Sequence, residues 1–254
     1  MMPFKTLSEE LIANMTFVVV CLVVVLVVMT IAVVYERIVR KKNGGTERIL
    51  STRKIVVVGI FSAISLILFL LDFPVFFAPA FYRIDFSELP ALIAAFAYGP
   101  VAGVLIELIK ILLKLCIKGT STAFVGELAN FVIGVSFLLP AAMLYEFRKT
   151  KNMALISCLV GTLCMTAFGT FFNAVYLLPA FATLYGMPLD AIIGMGSAIN
   201  ASIRDVTTFV FFAVAPINLL KGGLDSLITV LVYKKLRPFL KTEQRKAAGA
   251  AKVE

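Results

Sequence analysis

The sequence predicts an all-α integral membrane protein, and three observations carry that prediction. The 254 residues are 61% hydrophobic and only 15% charged, against about 45–50% and about 25% in an average soluble domain. Mean hydropathy is +1.00. The apolar residues fall in long runs, and Lys and Arg cluster just after those runs. Basic residues so placed orient a membrane protein, so the formal charge of +9 does not point to nucleic acid.

The first run, 11–34, is interrupted only by Asn14 and two threonines. At about 1.5 Å per residue it reaches about 36 Å, enough to cross a core of about 30 Å with some tilt. It is too long for the apolar region of a signal peptide, its basic residues follow rather than precede it, and no A-x-A site appears, so it reads as a retained helix. A basic linker broken by Gly44-Gly45 comes next. Further runs cover 54–71, 88–98, 101–117, 123–145, 153–178 and 216–233, the last opened by Pro216 at a first helical position, where a missing N–H costs nothing. The stretch 203–215 is too short to span and is expected to be an interfacial or re-entrant cover on the outer face. The run 88–98 reaches only about 17 Å. With 101–117 it makes either two tilted spans or one re-entrant hairpin across Gly99-Pro100. Three units result: 1–52, an additional helix and linker; 53–238, a six-span domain; and 239–254, a basic tail expected to be disordered.

Charge sets the orientation. The linker 35–54 holds seven Lys and Arg, the 147–152 loop three and the tail after Tyr233 seven, whereas the opposite side holds Lys5, Arg83, Lys118 and Arg204. The basic side is cytoplasmic, which puts the N-terminus outside and the C-terminus inside.

Orientation then gives depth. Glu127 and Asn130 lie near the outer start of the 123–145 helix. Asn173 and Tyr176 lie near the outer end of 153–178, and Asn218 and Lys221 near the outer start of 216–233. Each pair is spaced i, i+3 and shares a helical face. The preceding loop YRIDFSELP adds Asp85 and Ser87 on the same side. Intramembrane polar and ionisable groups face a cavity or a partner, so these eight residues predict an outward-opening pocket for a polar small molecule. Other readings stand beside this one: Ser87 as a helix cap, Lys221 and Asp225 as an i, i+4 ion pair, and Asn173 as interhelical glue. Glu107, Lys110 and Lys114 read as structural pairs or contacts with another subunit. Gly59 and Ala63 form a small-xxx-small step suited to helix packing or to docking a second membrane protein.

The chain has no histidine, which excludes an HExxH zinc site and a Ser-His pair, and no P-loop motif is present. No metal site and no cofactor are expected. The four cysteines, Cys21, Cys116, Cys158 and Cys164, lie in or beside apolar runs without a CxxC, and are expected to be reduced, buried hydrophobes.

The stretches 70–110, GTSTAFVGELANFVIG (119–134), FGTFFNAVYLLP (168–179) and APINLLKGGLDSLITVLVYKKL (215–236) resemble the riboflavin-specific substrate-binding (S) components of energy-coupling factor vitamin transporters. The likeness covers about 53–238. The 11–34 helix departs from the six-span pattern as an N-terminal addition. The resemblance implies an S-component-like six-helix core in the plasma membrane of a prokaryote, in contact with membrane lipid. It implies riboflavin as transported ligand, and as partners a transmembrane coupling subunit and two cytoplasmic ATPase subunits, with Gly59 and Ala63 on the docking surface. Two other functions fit the residues alone: a stand-alone ion-coupled carrier, and a membrane scaffold whose polar groups only join helices.

Overall fold

A computed structural model describes residues 12–42 and 49–250, the stretch 233–250 as backbone only. Helix α1, Met15–Lys42, continues beyond the first apolar run into the basic segment. Nothing in YERIVRKK breaks a helix, and Arg40, Lys41 and Lys42 in the last turn oppose the negative end of the helix dipole. Gly44-Gly45 lies outside the described residues. Helix α2, Thr52–Leu70, starts at Ser51, whose side chain accepts the Lys54 N–H at 3.3 Å. A two-residue hairpin follows, β1 Phe73–Pro74 antiparallel to β2 Arg83–Ile84, clasped by Arg83 Nε to Asp72 Oδ2 at 2.7 Å.

Helices α3, Glu88–Tyr98, and α4, Pro100–Lys118, are separated by Gly99 at φ +94°, a conformation that favours glycine, with Pro100 at the first helical position. They run back alongside each other, because Lys110 of α4 reaches Ser87 and Glu88 at the start of α3. Helix α5, Val125–Phe147, and helix α6, Lys151–Phe172, pack side by side.

Two boundaries differ from expectation. The 153–178 run does not stop before Pro179. A single π turn, Asn173–Leu177, carries it into α7, Leu178–Tyr185. Nor is 203–215 a separate outer cover. A capping box at Asp205 and Thr208 starts α9, Val206–Phe209; a second π turn, Val210–Val214, leads into α10, Ala215–Ala250. In both places the residue just before the proline closes an i→i+5 bond, Leu178 to Asn173 and Ala215 to Val210. The wider turn gives each proline ring room beside a carbonyl it would meet in an α-helix, so the helices continue. Pro216 therefore lies within a helix rather than at its start. Between these units sits a short helix α8, Leu189–Ser197.

Among the described residues, five helical elements are long and apolar enough to cross a membrane: α1, α2, α5, Lys151–Tyr185 and Val206–Val232. Of the seven expected runs, 88–98 is a shorter apolar helix and α4 carries Glu107, Lys110, Lys114 and Lys118. The backbone of α10 reaches into the stretch 239–254 expected to be disordered, since its Ala, Lys, Gln and Glu residues favour helix; residues 251–254 lie outside the described ones. All four cysteines are free, but only Cys158 is buried; Cys116 is exposed, and Cys21 and Cys164 are half-buried.

The core has a central cluster, where Ala32 of α1 joins Ala91, Ala95, Val104 and Leu138, and an outer cluster, where the hairpin's Ile84 meets Leu178, Ile192, Ile203 and Phe209. Helix α1 is held by more than apolar contact. Its buried Glu36 pairs with Arg40 at 2.7 Å and Lys54 at 2.8 Å and accepts the Val101 N–H at 3.2 Å. A carboxylate at the first turn of α4 also meets the positive end of that helix. A Cβ at position 99 would lie 2.8 Å from Glu36 Oε2, so glycine is needed there twice over. Tyr35 adds a 2.6 Å bond from its hydroxyl to the Met143 carbonyl.

Glu36→Ala strands the buried Lys54 and is expected to cost about 3–5 kcal/mol, read as a lower unfolding temperature in detergent. Glu36→Leu combined with Lys54→Leu should recover most of that loss, because no fully buried charge is then stranded and the part-exposed Arg40 can turn to solvent.

Candidate functional site

Three elements that are distant in sequence bring the polar residues of the bundle together. The segment after β2 delivers Asp85, whose Oδ1 accepts the Ser87 N–H at 2.8 Å and whose Oδ2 meets Lys221 Nζ at 2.9 Å. Burial works against this carboxylate, yet Lys221, Lys110 and Ser87 hold it below the ordinary carboxylate range. Ser87 makes no side-chain cap bond to α3; its hydroxyl accepts from Lys110 at 2.9 Å. Lys221 also pairs with Glu88 at 2.8 Å, and Lys110 with Glu107 at 2.7 Å and Glu88 at 3.5 Å. The result is a continuous buried chain, Glu107–Lys110–Glu88–Lys221–Asp85. Lys221 thus pairs with Asp85 and Glu88 rather than with Asp225 one turn along its own helix.

One turn before Lys221 on α10, the buried Asn218 lies against Gly169 of α6. A Cβ on Gly169 would come within 2.6 Å of Asn218 Nδ2, so only glycine leaves room for that amide. Asn173 comes to the same place from the π turn, donating from Nδ2 to the Gly169 carbonyl at 2.7 Å and accepting from the Tyr82 hydroxyl at 2.7 Å. Enclosure pushes the Tyr82 phenol above its ordinary range, so it remains a donor at any physiological pH. Asp85, Ser87, Asn173, Asn218 and Lys221 therefore converge. Lys221 sits fifteen residues into Val206–Val232, about 22 Å along the helix.

Asn130, on α5 beside the Ala129 that packs against Leu177, keeps a buried Oδ1 with no hydrogen-bond partner. Two expected members are placed differently. Glu127 is engaged by Lys114 and by the hydroxyls of Thr120 and Thr122, both at 3.0 Å, and so pins the loop between α4 and α5. Tyr176 does not share a face with Asn173, because a π turn is wider than the α geometry behind i, i+3 spacing. Its ring packs against Phe172 and stacks on Phe17 of α1.

Sequence reasoning missed Glu88, Tyr82 and Gly169. An acidic residue in a first helical turn is ordinary, and nothing local marks Glu88 as the acid shared by two lysines. Tyr82 and Gly169 acquire meaning only through Asn173 and Asn218.

Residues 53–233 match the model of the family described as ECF transporter, substrate-specific component. Among curated proteins, the chain is 34% identical over 200 residues to "Riboflavin transporter FmnP" of Bacillus subtilis (strain 168), covering 78% of this chain and 98% of that one. It is 32% identical over 189 residues to "Riboflavin transporter RibU" of Staphylococcus aureus (strain TCH60), covering 74% and 93%. A solved structure described as "Structure and mechanism of the S component of a bacterial ECF transporter" superposes with a TM-score of 0.58 at 31% identity, covering 74% of this chain and 98% of that one.

Tyr82→Phe leaves Asn173 Oδ1 without its donor, at an expected cost of about 1–3 kcal/mol. In a double-mutant cycle with Asn173→Ala, measured by unfolding in detergent, the two losses should fall short of additive because they share one bond.

Proposed function

The chain belongs to the substrate-specific components of energy-coupling factor (ECF) transporters, and on that premise we propose that it is the membrane-embedded riboflavin-binding subunit of such a transporter. The observation that carries this reading is unspent hydrogen-bonding capacity beside Lys221. The buried Asn130 Oδ1 has no hydrogen-bond partner, and Asn218, 7% exposed, has its amide packed against Gly169 with no side-chain hydrogen bond among the described residues. Buried polar groups left free in a folded chain favour a ligand that satisfies them. The edge of an isoalloxazine ring alternates carbonyl acceptors with an N–H donor, and an asparagine amide supplies the complement.

In this reading Asn130, Asn173, Asn218 and Lys221 make the polar contacts, and Lys221 turns from its carboxylates toward a ring carbonyl or a ribityl hydroxyl. Asp85 and Ser87 orient Lys221 and Lys110. Phe172 and Tyr176 offer aromatic wall, while Glu127 fixes the 119–124 loop at the rim. Docking to a transmembrane coupling subunit uses the exposed face of α2, where a Cβ on Gly59 would meet nothing within 4 Å and Ala63 is exposed one turn on. Two cytoplasmic ATPases supply the energy. The N-terminus lies outside and the C-terminus inside the plasma membrane of a prokaryote.

Riboflavin titration of the detergent-purified protein, followed by quenching of flavin fluorescence, tests the proposal. Asn218→Ala and Asn130→Ala remove amides that the fold itself leaves unused, so each should weaken binding by about 1–3 kcal/mol, roughly five- to 150-fold. Unchanged affinity in both variants would falsify the site. Flavin mononucleotide, with an added charge of about −1.5 to −2, should bind more weakly than riboflavin beside Asp85, Glu88 and Glu127. Uptake should require ATP and survive an uncoupler while ATP is maintained; the opposite result identifies an ion-coupled carrier.

A further inference from the structure

The buried charges near the middle of the bundle do not balance. Among the described residues, Asp85, Glu88, Glu107 and Asp225 face only the cations Lys110 and Lys221, and none of the six is more than 7% exposed. Fully ionised, the cluster would carry two negative charges in excess. Asp85 has Lys221 and the Ser87 N–H, and Glu88 has both lysines. Glu107 has Lys110 on one oxygen, its Oε1 being without a hydrogen bond. Asp225 has nothing: it is wholly buried, and neither carboxylate oxygen has a hydrogen-bond partner.

A carboxylate in that position pays a desolvation penalty of several kcal/mol with no ion pair to offset it, and such a group takes up a proton instead. The groups facing Asp225 point the same way. They are Lys221 on its own helix, Asp85 ahead of α3, Glu88 at the start of α3 and Lys110 on α4. The two lysines are already committed to the other three acids. From α6, packed along α10, comes no charge among the described residues beyond Lys151 at its far end; that helix offers the Thr162 hydroxyl, bonded at 3.0 Å to Ser226 next to Asp225.

We infer that this cluster is a proton-binding site, and that Asp225 is the residue that carries the proton. The step is simple protonation: a proton from water forms an O–H bond at one Asp225 carboxylate oxygen and nothing else is broken. The neutral acid removes one excess charge, so Lys221 answers to two carboxylates rather than three. The proton belongs to the ligand-free protein, whichever molecule is transported.

Infrared spectroscopy of the purified, ligand-free chain tests it at pH 8, where exposed carboxylates are ionised. The wild type should show the C=O stretch of a protonated carboxyl group, shifted in D₂O. That band should disappear in Asp225→Asn, an isostere of the neutral acid that should leave the fold intact, and persist in Glu107→Gln. No band in the wild type, a measurement that needs no variant, overturns the proton site. A band that survives Asp225→Asn overturns the assignment. Riboflavin titration of the same samples is a separate readout, so failure of the binding proposal is told apart from failure of this one.

Discussion

A run of alternating charges, Glu107, Lys110, Glu88, Lys221 and Asp85, ties the middle of this bundle together. Each ionisable group placed inside a membrane costs about 2.5–3.5 kcal/mol on insertion scales, and a buried charge is tolerable only when paired. The pairing forces specific neighbours. Helix α4 must turn its Lys110 to the start of α3, and α10 must bring Lys221 to the segment after the hairpin. With those contacts made, Asn218 one turn away has nowhere to lie but against Gly169.

The two π turns place the remaining polar groups. They occur just ahead of Pro179 and Pro216, in helices that would otherwise have to break there, and the two turns touch each other. A π turn rotates everything beyond it relative to a regular helix. Asn173 lies on one such turn with its amide inside, while Tyr176 is carried round to the aromatic group of Phe172 and Phe17. An irregularity of this kind is frequent where a helix serves a site. Here it turns the Asn173 amide inward to Gly169 and Tyr82 while Phe172, the residue before it, packs on Tyr176.

The additional N-terminal helix is joined to the family core by chemistry rather than by a lipid-like apolar face alone. Most of α1 is exposed hydrophobic surface, including Val19, Val23, Leu26 and Val27. Its fixed end is Glu36, which neutralises Lys54 of α2 and meets the first turn of α4. At its other end Phe17 lies on Tyr176. The helix thus spans from the junction of α3 and α4 to the neighbourhood of the proposed binding site, a position that the 53–233 family region does not include.

Much of this was legible in the residues. Long apolar runs and their flanking Lys and Arg gave the membrane class; the i, i+3 pairs on separate helices pointed to Asn173, Asn218 and Lys221, and the YRIDFSELP loop to Asp85, and the fold brings these four side chains together. Gly99-Pro100 marked the break between α3 and α4. These features are local: composition, spacing and turn chemistry act within a few residues. The pairing of the charges was not local. Lys221 chose Asp85, 136 residues away, over Asp225 at the spacing a helix favours, and Lys114 chose Glu127 over the ladder on its own helix. Continuation through Pro179 and Pro216 likewise needed neighbours to hold a π turn in place. Sequence determined which groups must be buried with partners; only the packed bundle decided which partners they took, because pairing energy depends on distances that exist once the helices have met.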